Sequence, residues 1–241
     1  QHPPHKRLLV PKRSTRCAPN TPAPTAPSVP HPRFLAFVSL HGSGIHGAGG
    51  GVGTAAIQLA QSQGGNIIGT ASAWKHEKLN KMGVNHCIDY NTEDVYRKVM
   101  KYTNNRGINL IIDPVGSDNW KISYKCLATM GKLIIFGDQN FVAGKSLKPL
   151  ASLKEFFSMP SFKPMNLMSQ NKSVMGYHLG KLSGAENKIQ KAATELLKLA
   201  KARKIKPIID KIFPYTDAPK AHAHIQNRKN FGKVLLDFSD K

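Results

Sequence analysis

Acid is what this chain has least of. Fourteen Asp and Glu stand against 35 Lys and Arg in 241 residues, a formal net charge of +21. A field of that sign draws anions (phosphorylated cofactors, nucleic acid, acidic lipid) without choosing among them. The lysines are spread along the whole chain, and no basic motif is interleaved with aromatics, which weighs against a dedicated nucleic-acid surface. Cysteine is also scarce. Cys17, Cys87 and Cys126 lie far apart, with no C-x-x-C and no Cys/His spacing of the zinc type. This excludes a zinc finger, argues against a disulfide framework and points to a reducing compartment. The one close histidine pair, His222 and His224, would place its rings on different faces of a helix, so no metal is expected there. No apolar run approaches the ~20 residues of a bilayer-spanning helix. A chain in solution or on a surface is expected.

The length suits one or two domains. Residues 1–33 stand apart, with nine of the sixteen prolines, six Lys/Arg and no acid. They cannot bury enough apolar surface to fold and are read as a disordered basic tail, with an organelle leader as the alternative. A first residue of Gln rather than Met fits processing or a fragment. From residue 34 the pattern alternates. FLAFVSL (34–40) reads as a strand and Val52–Gln63 as a helix. Strands follow at 66–71, 86–90, 108–115 and 132–137, separated by helices around Lys75–Lys81, Glu93–Tyr102 and Trp120–Ala128. Near-continuous apolar strands between helices indicate an α/β fold, a doubly wound parallel sheet covered on both faces. Beyond an irregular stretch at 138–172, with a helix expected at Leu153–Ser158, come a strand at 173–179 and an amphipathic helix at Ala185–Ala202. Strand 208–213, a short helix near Ala218–Gln226 and strand 232–238 close the chain.

Two glycine patterns follow one another in HGSGIHGAGGGVGTAA (41–56). Gly42-Ser43-Gly44-Ile45-His46-Gly47 matches G-x-G-x-x-G, and Ala48-Gly49-Gly50-Gly51-Val52-Gly53 matches it with alanine in first place. A dinucleotide site needs strand, tight turn and helix in succession, so that bare amides and the helix N-terminus meet the pyrophosphate. Only Gly53 runs straight into a helix, so the second pattern is the phosphate turn and the first a decoy. Gly42 and Gly44 weaken any strand expected before it. An NAD site carries an acid about 20 residues on. Here no Asp or Glu occurs between Gly53 and Glu77, and the neighbourhood offers Ser72 and Lys75. A hydroxyl and a cation suit a 2′-phosphate, which an acid would repel. NADPH is therefore favoured over NADH.

The strings AGGGVGTAAIQLA, IIGTASAWKHEKLNKMGVNHCIDY, GINLIIDPVGSDNW and GKLIIFGDQN resemble the quinone-oxidoreductase branch of the medium-chain dehydrogenase/reductases. Within it, NKSVMGYHLG and KIKPIIDKIFPYTDAPKAHAHIQNRKNFGKVLLDF resemble the synaptic vesicle membrane protein group. The resemblance runs from about residue 45 to the C-terminus. It implies a Rossmann-type domain at 34–206 that binds NADPH. Gly50, Gly51, Val52 and Gly53 would form the pyrophosphate turn, and Ser72 and Lys75 would take the 2′-phosphate. Tyr90 would lie near the adenosine end, and Val115, Gly116, Phe136, Gly137 and Asp138 along the nicotinamide half. It further implies that 207–241 is the remnant of a GroES-like catalytic domain whose N-terminal part is missing. Its strands would then be left with edges prone to association.

The expectation is an oxidoreductase that reduces small-molecule quinones or enones with NADPH and without zinc; no catalytic residue, and no Ser-His-Asp set, is assigned. Asp113 and Asp138 stand at strand ends, as ligand contacts or as structural caps. The alternative is a non-catalytic vesicle protein lying on an anionic membrane surface through Lys188, Lys191, Lys198 and Lys201. The resemblance also implies a homodimer through strand 173–179. A cytoplasmic location is expected, with peripheral membrane attachment as the alternative.

Overall fold

A computed structural model describes residues 42–137 and 159–239. The expected tail 1–33, the strand 34–40, the helix Leu153–Ser158, Cys17 and Asp138 lie outside them. Six strands form one sheet: β1 (Ser43–His46), β2 (Ile67–Thr70), β3 (His86–Ile88), β4 (Ile108–Asp113), β5 (Leu127–Ile135) and β6 (Ser173–Gly176). Their order is β3-β2-β1-β4-β5-β6 and every pairing is parallel. The chain leaves β1 on one side for β2 and β3 and returns on its other side for β4. That reversal opens a crevice at the carboxyl ends of β1 and β4, where doubly wound sheets bind ligands.

Adjacent residues feed opposite faces. Ile67 packs with Ile45, Ile57 of α1 (Gly51–Ser62) and Leu79 of α2 (His76–Lys81). Ile68 and Ile111 pack with Val95 and Val99 of α3 (Val95–Tyr102) and Cys126 of α4 (Ser117–Cys126). Both clusters hold fully buried branched side chains, each worth roughly 1.5–3 kcal/mol of burial. This one-residue alternation is why β2 and β4 read as unbroken apolar runs.

The strand entering the glycine turn is β1 itself, inside the G-x-G-x-x-G match, although glycine lowers strand propensity. Pairing with β2 and β4 on both sides overrides that propensity. Packing at Gly44 is moreover tight, since a Cβ there would stand 3.1 Å from side-chain atoms of both Ile108 and Ile111. The α4–β5 boundary falls earlier than the sequence suggests, because Leu127 is already extended (φ −68°, ψ 136°). Helix α5 (Pro164–Gln170), in the stretch read as irregular, starts with proline in its first turn and stops at left-handed Asn171. After α6 (Glu186–Lys201), strands β7 (Ile209–Pro214) and β8 (Lys233–Asp237) pair in parallel as a separate two-stranded sheet. Helix α7 (Ala218–Gln226) connects them.

Candidate functional site

The chain turns as soon as β1 ends. Gly47 takes φ +63°, its carbonyl accepts from the Gly50 amide at 2.9 Å, and α1 begins at Gly51. Thr54 fastens the turn, its amide and hydroxyl reaching the Gly50 carbonyl at 2.9 and 3.1 Å. A Cβ at Gly53 would stand 2.6 Å from the Ala48 carbonyl oxygen and inside that of Gly47, so only hydrogen fits. No side chain caps α1 and no acid occupies its first turn. The first amides, among them those of Gly51, Val52 and Gly53, are left to an outside acceptor at the positive end of the helix dipole.

Two lysine stems flank this turn. The Cδ of Lys75 lies 2.5 Å from where a Gly49 Cβ would be, and the Cδ of Lys233 equally close to that of Gly51. Lys233 arrives from the far end of the sequence. The Gly232 amide donates to the Gly49 carbonyl at 2.9 Å, and Gly232 bridges Gly50 in parallel, with φ +97°. Beside the turn, Ser72 and Tyr90 share a hydrogen bond of 3.0 Å, and Arg228 donates to the Tyr90 oxygen at 3.2 Å. Either hydroxyl of the Ser72–Tyr90 pair can donate; when Tyr90 donates, the Ser72 hydroxyl keeps its own proton for a further acceptor.

Lys75 is only 7 % exposed. Burial pushes its ammonium below the usual lysine range, Asp210 opposes this, and Arg228 and Lys78 add to it. Its ammonium sits 5.0 Å over the Trp74 ring. The stems of Lys75 and Lys233 thus flank a capless helix N-terminus, and Arg228, Lys78 and Asp210 act on the charge of Lys75. That arrangement is built for an anion.

Gly50, Gly51, Val52, Gly53, Ser72, Lys75 and Tyr90 therefore meet around the carboxyl ends of β1, β2 and β3. Val115 and Gly116 follow β4 on the other side of the crevice, Gly116 capping α4 at φ +113°. The Phe136 amide reaches the Asp113 carbonyl at 3.4 Å, and a Cβ on Gly137 would lie 3.5 Å from the Pro114 carbonyl oxygen. Pro114 also comes within 3.7 Å of a Cβ at Gly47, which joins the two halves of the crevice. Sequence reasoning missed Arg228 and Lys233, which only the fold-back at Gly232 delivers.

A buried polar cluster lies behind the turn. His46 Nδ1 meets the Thr70 hydroxyl at 3.0 Å and Nε2 the Ser123 hydroxyl at 3.0 Å. Ser123 donates to Asp113 Oδ2 at 2.6 Å, as does Asn119 at 2.7 Å, and the Val115 amide donates to Oδ1 at 2.8 Å. A serine, a histidine and an aspartate meet here, but not as a hydrolytic triad. The serine proton goes directly to the carboxylate, and Ser123 and Asp113 are wholly buried. Burial holds His46 below its ordinary value of 6.5, against the pull of Asp113. As pH falls through 6.5 the unfolded chain takes up this proton first, so stability falls, by up to about 1.4 kcal/mol per pH unit. Urea midpoints should drop between about pH 7.5 and about pH 5.5, and His46→Gln should flatten that drop. An unchanged slope in the variant would assign the loss to another group.

A family model described as zinc-binding dehydrogenase matches residues 82–236. The chain belongs to that family. It is a member of the medium-chain dehydrogenase/reductases, with the parallel Rossmann-type sheet of their nucleotide-binding domains. It is 36% identical over 193 residues to the synaptic vesicle membrane protein VAT-1 homolog of Rattus norvegicus, covering 80% of this chain and 48% of that protein. To the quinone oxidoreductase of Pseudomonas aeruginosa it is 30% identical over 195 residues, 80% of this chain and 55% of the relative. In fold it is similar to the crystal structure of Escherichia coli quinone oxidoreductase complexed with NADPH. The TM-score is 0.67 at 24% identity, over 85% of this chain and 62% of that one. The chain thus spans about half the length of the curated relatives it matches. Among its described residues no group of three His, Cys, Asp or Glu is placed to hold a metal ion. The described donor set does not fit zinc.

Proposed function

We propose that this chain carries the NADPH-binding part of a reductase acting on quinones or α,β-unsaturated carbonyls without zinc. One observation carries the reading: the stems of Lys75 and Lys233 flank a capless glycine turn, and Arg228 bonds the Ser72–Tyr90 hydroxyl pair beside it. The amides of Gly51–Gly53 and Lys233 suit a pyrophosphate, and Ser72, Lys75 and Arg228 suit a 2′-phosphate, with Tyr90 holding Ser72 and Arg228 in place. Val115, Gly116, Phe136 and Gly137 are assigned to the nicotinamide side; Asp138, expected with them, lies outside the described residues. Bound NADPH would supply the hydride; the protein's part is to hold the ring in place and keep water out. Residues 207–241, with the β7–β8 sheet, are assigned to the catalytic domain and 34–206 to the nucleotide domain. The outer edge of β6 is assigned to a homodimer.

Titration of the purified chain with NADPH should shift the nucleotide's fluorescence, and added quinone should then drive NADPH oxidation. The absence of any shift would refute the cofactor reading. Binding without turnover would favour a second reading, a non-catalytic protein on an anionic membrane surface. That reading draws on α6, which has no buried residue, carries Lys188, Lys191, Lys198 and Lys201, and exposes Leu197. No helix among the described residues is long and apolar enough to cross a membrane, so attachment would be peripheral. Sedimentation with anionic vesicles that moderate salt abolishes would support it.

A further inference from the structure

The polar cluster behind the glycine turn joins four elements: His46 ends β1, Thr70 ends β2, Asp113 ends β4, and Asn119 and Ser123 lie on α4. With Asp113 as the acceptor and the ring neutral, the cluster's bonds admit one self-consistent proton pattern. The single Ser123 proton is committed to Asp113 Oδ2 at 2.6 Å. The contact of Ser123 with His46 Nε2 at 3.0 Å therefore needs the ring to donate. A neutral ring then leaves Nδ1 bare, to accept from the Thr70 hydroxyl at 3.0 Å. Asp113, wholly buried, accepts from three donors among the described residues: Ser123, Asn119 and the Val115 amide. A buried carboxylate demands such a full set, and each donor it holds is held in return.

We propose that His46 and Ser123 are positioning residues for the nicotinamide end of the site. The Nε2–H tautomer of His46 fixes the Ser123 hydroxyl on Asp113, and Asp113 in turn anchors the Val115 amide. The Val115–Gly116 loop is thereby set against the glycine turn, where Pro114 faces Gly47. His46 is the residue just before that turn, so one ring ties the register of the phosphate half to that of the nicotinamide half. This assignment rests on the dinucleotide reading of the crevice. It gives a chemical reason for histidine at this position: a neutral imidazole carries a donor and an acceptor on two separate ring nitrogens, one for each of the buried hydroxyls.

The test uses the full 241-residue chain, labelled with nitrogen-15. Without cofactor, His46 should show a protonated Nε2 and a bare Nδ1. In Ser123→Ala, hydrogen exchange at the Val115 amide should quicken at least tenfold while exchange along α6 stays unchanged, and the NADPH dissociation constant should rise at least fivefold. Ser123→Cys, which keeps the volume but donates weakly, serves if the alanine variant does not fold. A proton on Nδ1, or unaltered Val115 exchange in a folded Ser123 variant, would overturn the wiring. A parent chain that binds no NADPH would overturn the cofactor reading, and with it the role given to the loop. The tautomer and exchange measurements decide the wiring separately.

Discussion

Gly53→Ala is expected to abolish NADPH binding and to lower stability by about 2–3 kcal/mol, because the new methyl has nowhere to go. It would stand 2.6 Å from the Ala48 carbonyl oxygen and closer still to that of Gly47, and both are backbone atoms of the turn. A flexible side chain could swing aside; two carbonyls in a turn closed by the Gly50 amide cannot, unless the turn opens. Opening it moves the first amides of α1, which are the groups offered to the pyrophosphate. Gly176→Ala is the matched control. A Cβ there meets nothing within 4 Å and its φ is not positive, so its cost should stay within about 0.5 kcal/mol. Thermal melts and fluorescence titrations of the two variants read both effects. A Gly53→Ala protein as stable as the parent and still binding NADPH would remove the close-packed turn from the explanation.

Lys75→Glu should weaken NADPH at least 100-fold and NADH less than about fivefold, since like charges brought together at a binding site cost several kcal/mol. The acid would face a 2′-phosphate that NADH lacks. Lys75 also has a packing role, because its stem covers Gly49 and the residue is buried. Lys75→Met separates the two roles by keeping the stem and dropping the charge. It should leave the melting temperature near that of the parent and still reduce the preference for NADPH. If both nucleotides lose affinity equally in both variants, Lys75 acts on the shared part of the cofactor and the preference lies elsewhere. Arg228 would then be the first residue to examine, because it reaches Tyr90 from the opposite end of the sequence.

Most of the sheet could be read from the residues because parallel strands covered on both faces must be apolar at consecutive positions. Ile67-Ile68 and Leu110-Ile111-Ile112 show this directly. The helices between them announced themselves by spacing, as Val95 and Val99 do. Strand β1 escaped for a physical reason. Four residues, SGIH, are too few for periodicity, and Gly44 sits where Ile108 and Ile111 crowd it, which no local pattern encodes. Within the site, Gly50–Gly53, Ser72 and Lys75 were legible because strand, turn and helix follow one another closely in the chain. Arg228 and Lys233 were not, because they enter by way of a fold-back more than a hundred residues later. The signal that could have found them is Gly232 before Lys233, a residue free to take the positive φ that the approach to Gly49 requires. The His46 cluster was invisible for another reason: its members come from positions 46, 70, 113, 119 and 123, and each alone looks like an ordinary strand-end or helix-start polar residue.

A crystal structure of the chain soaked with NADPH bears most directly on the proposed site. The pyrophosphate should lie within hydrogen-bond distance of the Gly51–Gly53 amides beside Lys233, with the 2′-phosphate between Ser72, Lys75 and Arg228. A nucleotide bound elsewhere, or a bare turn at saturating NADPH, would contradict it.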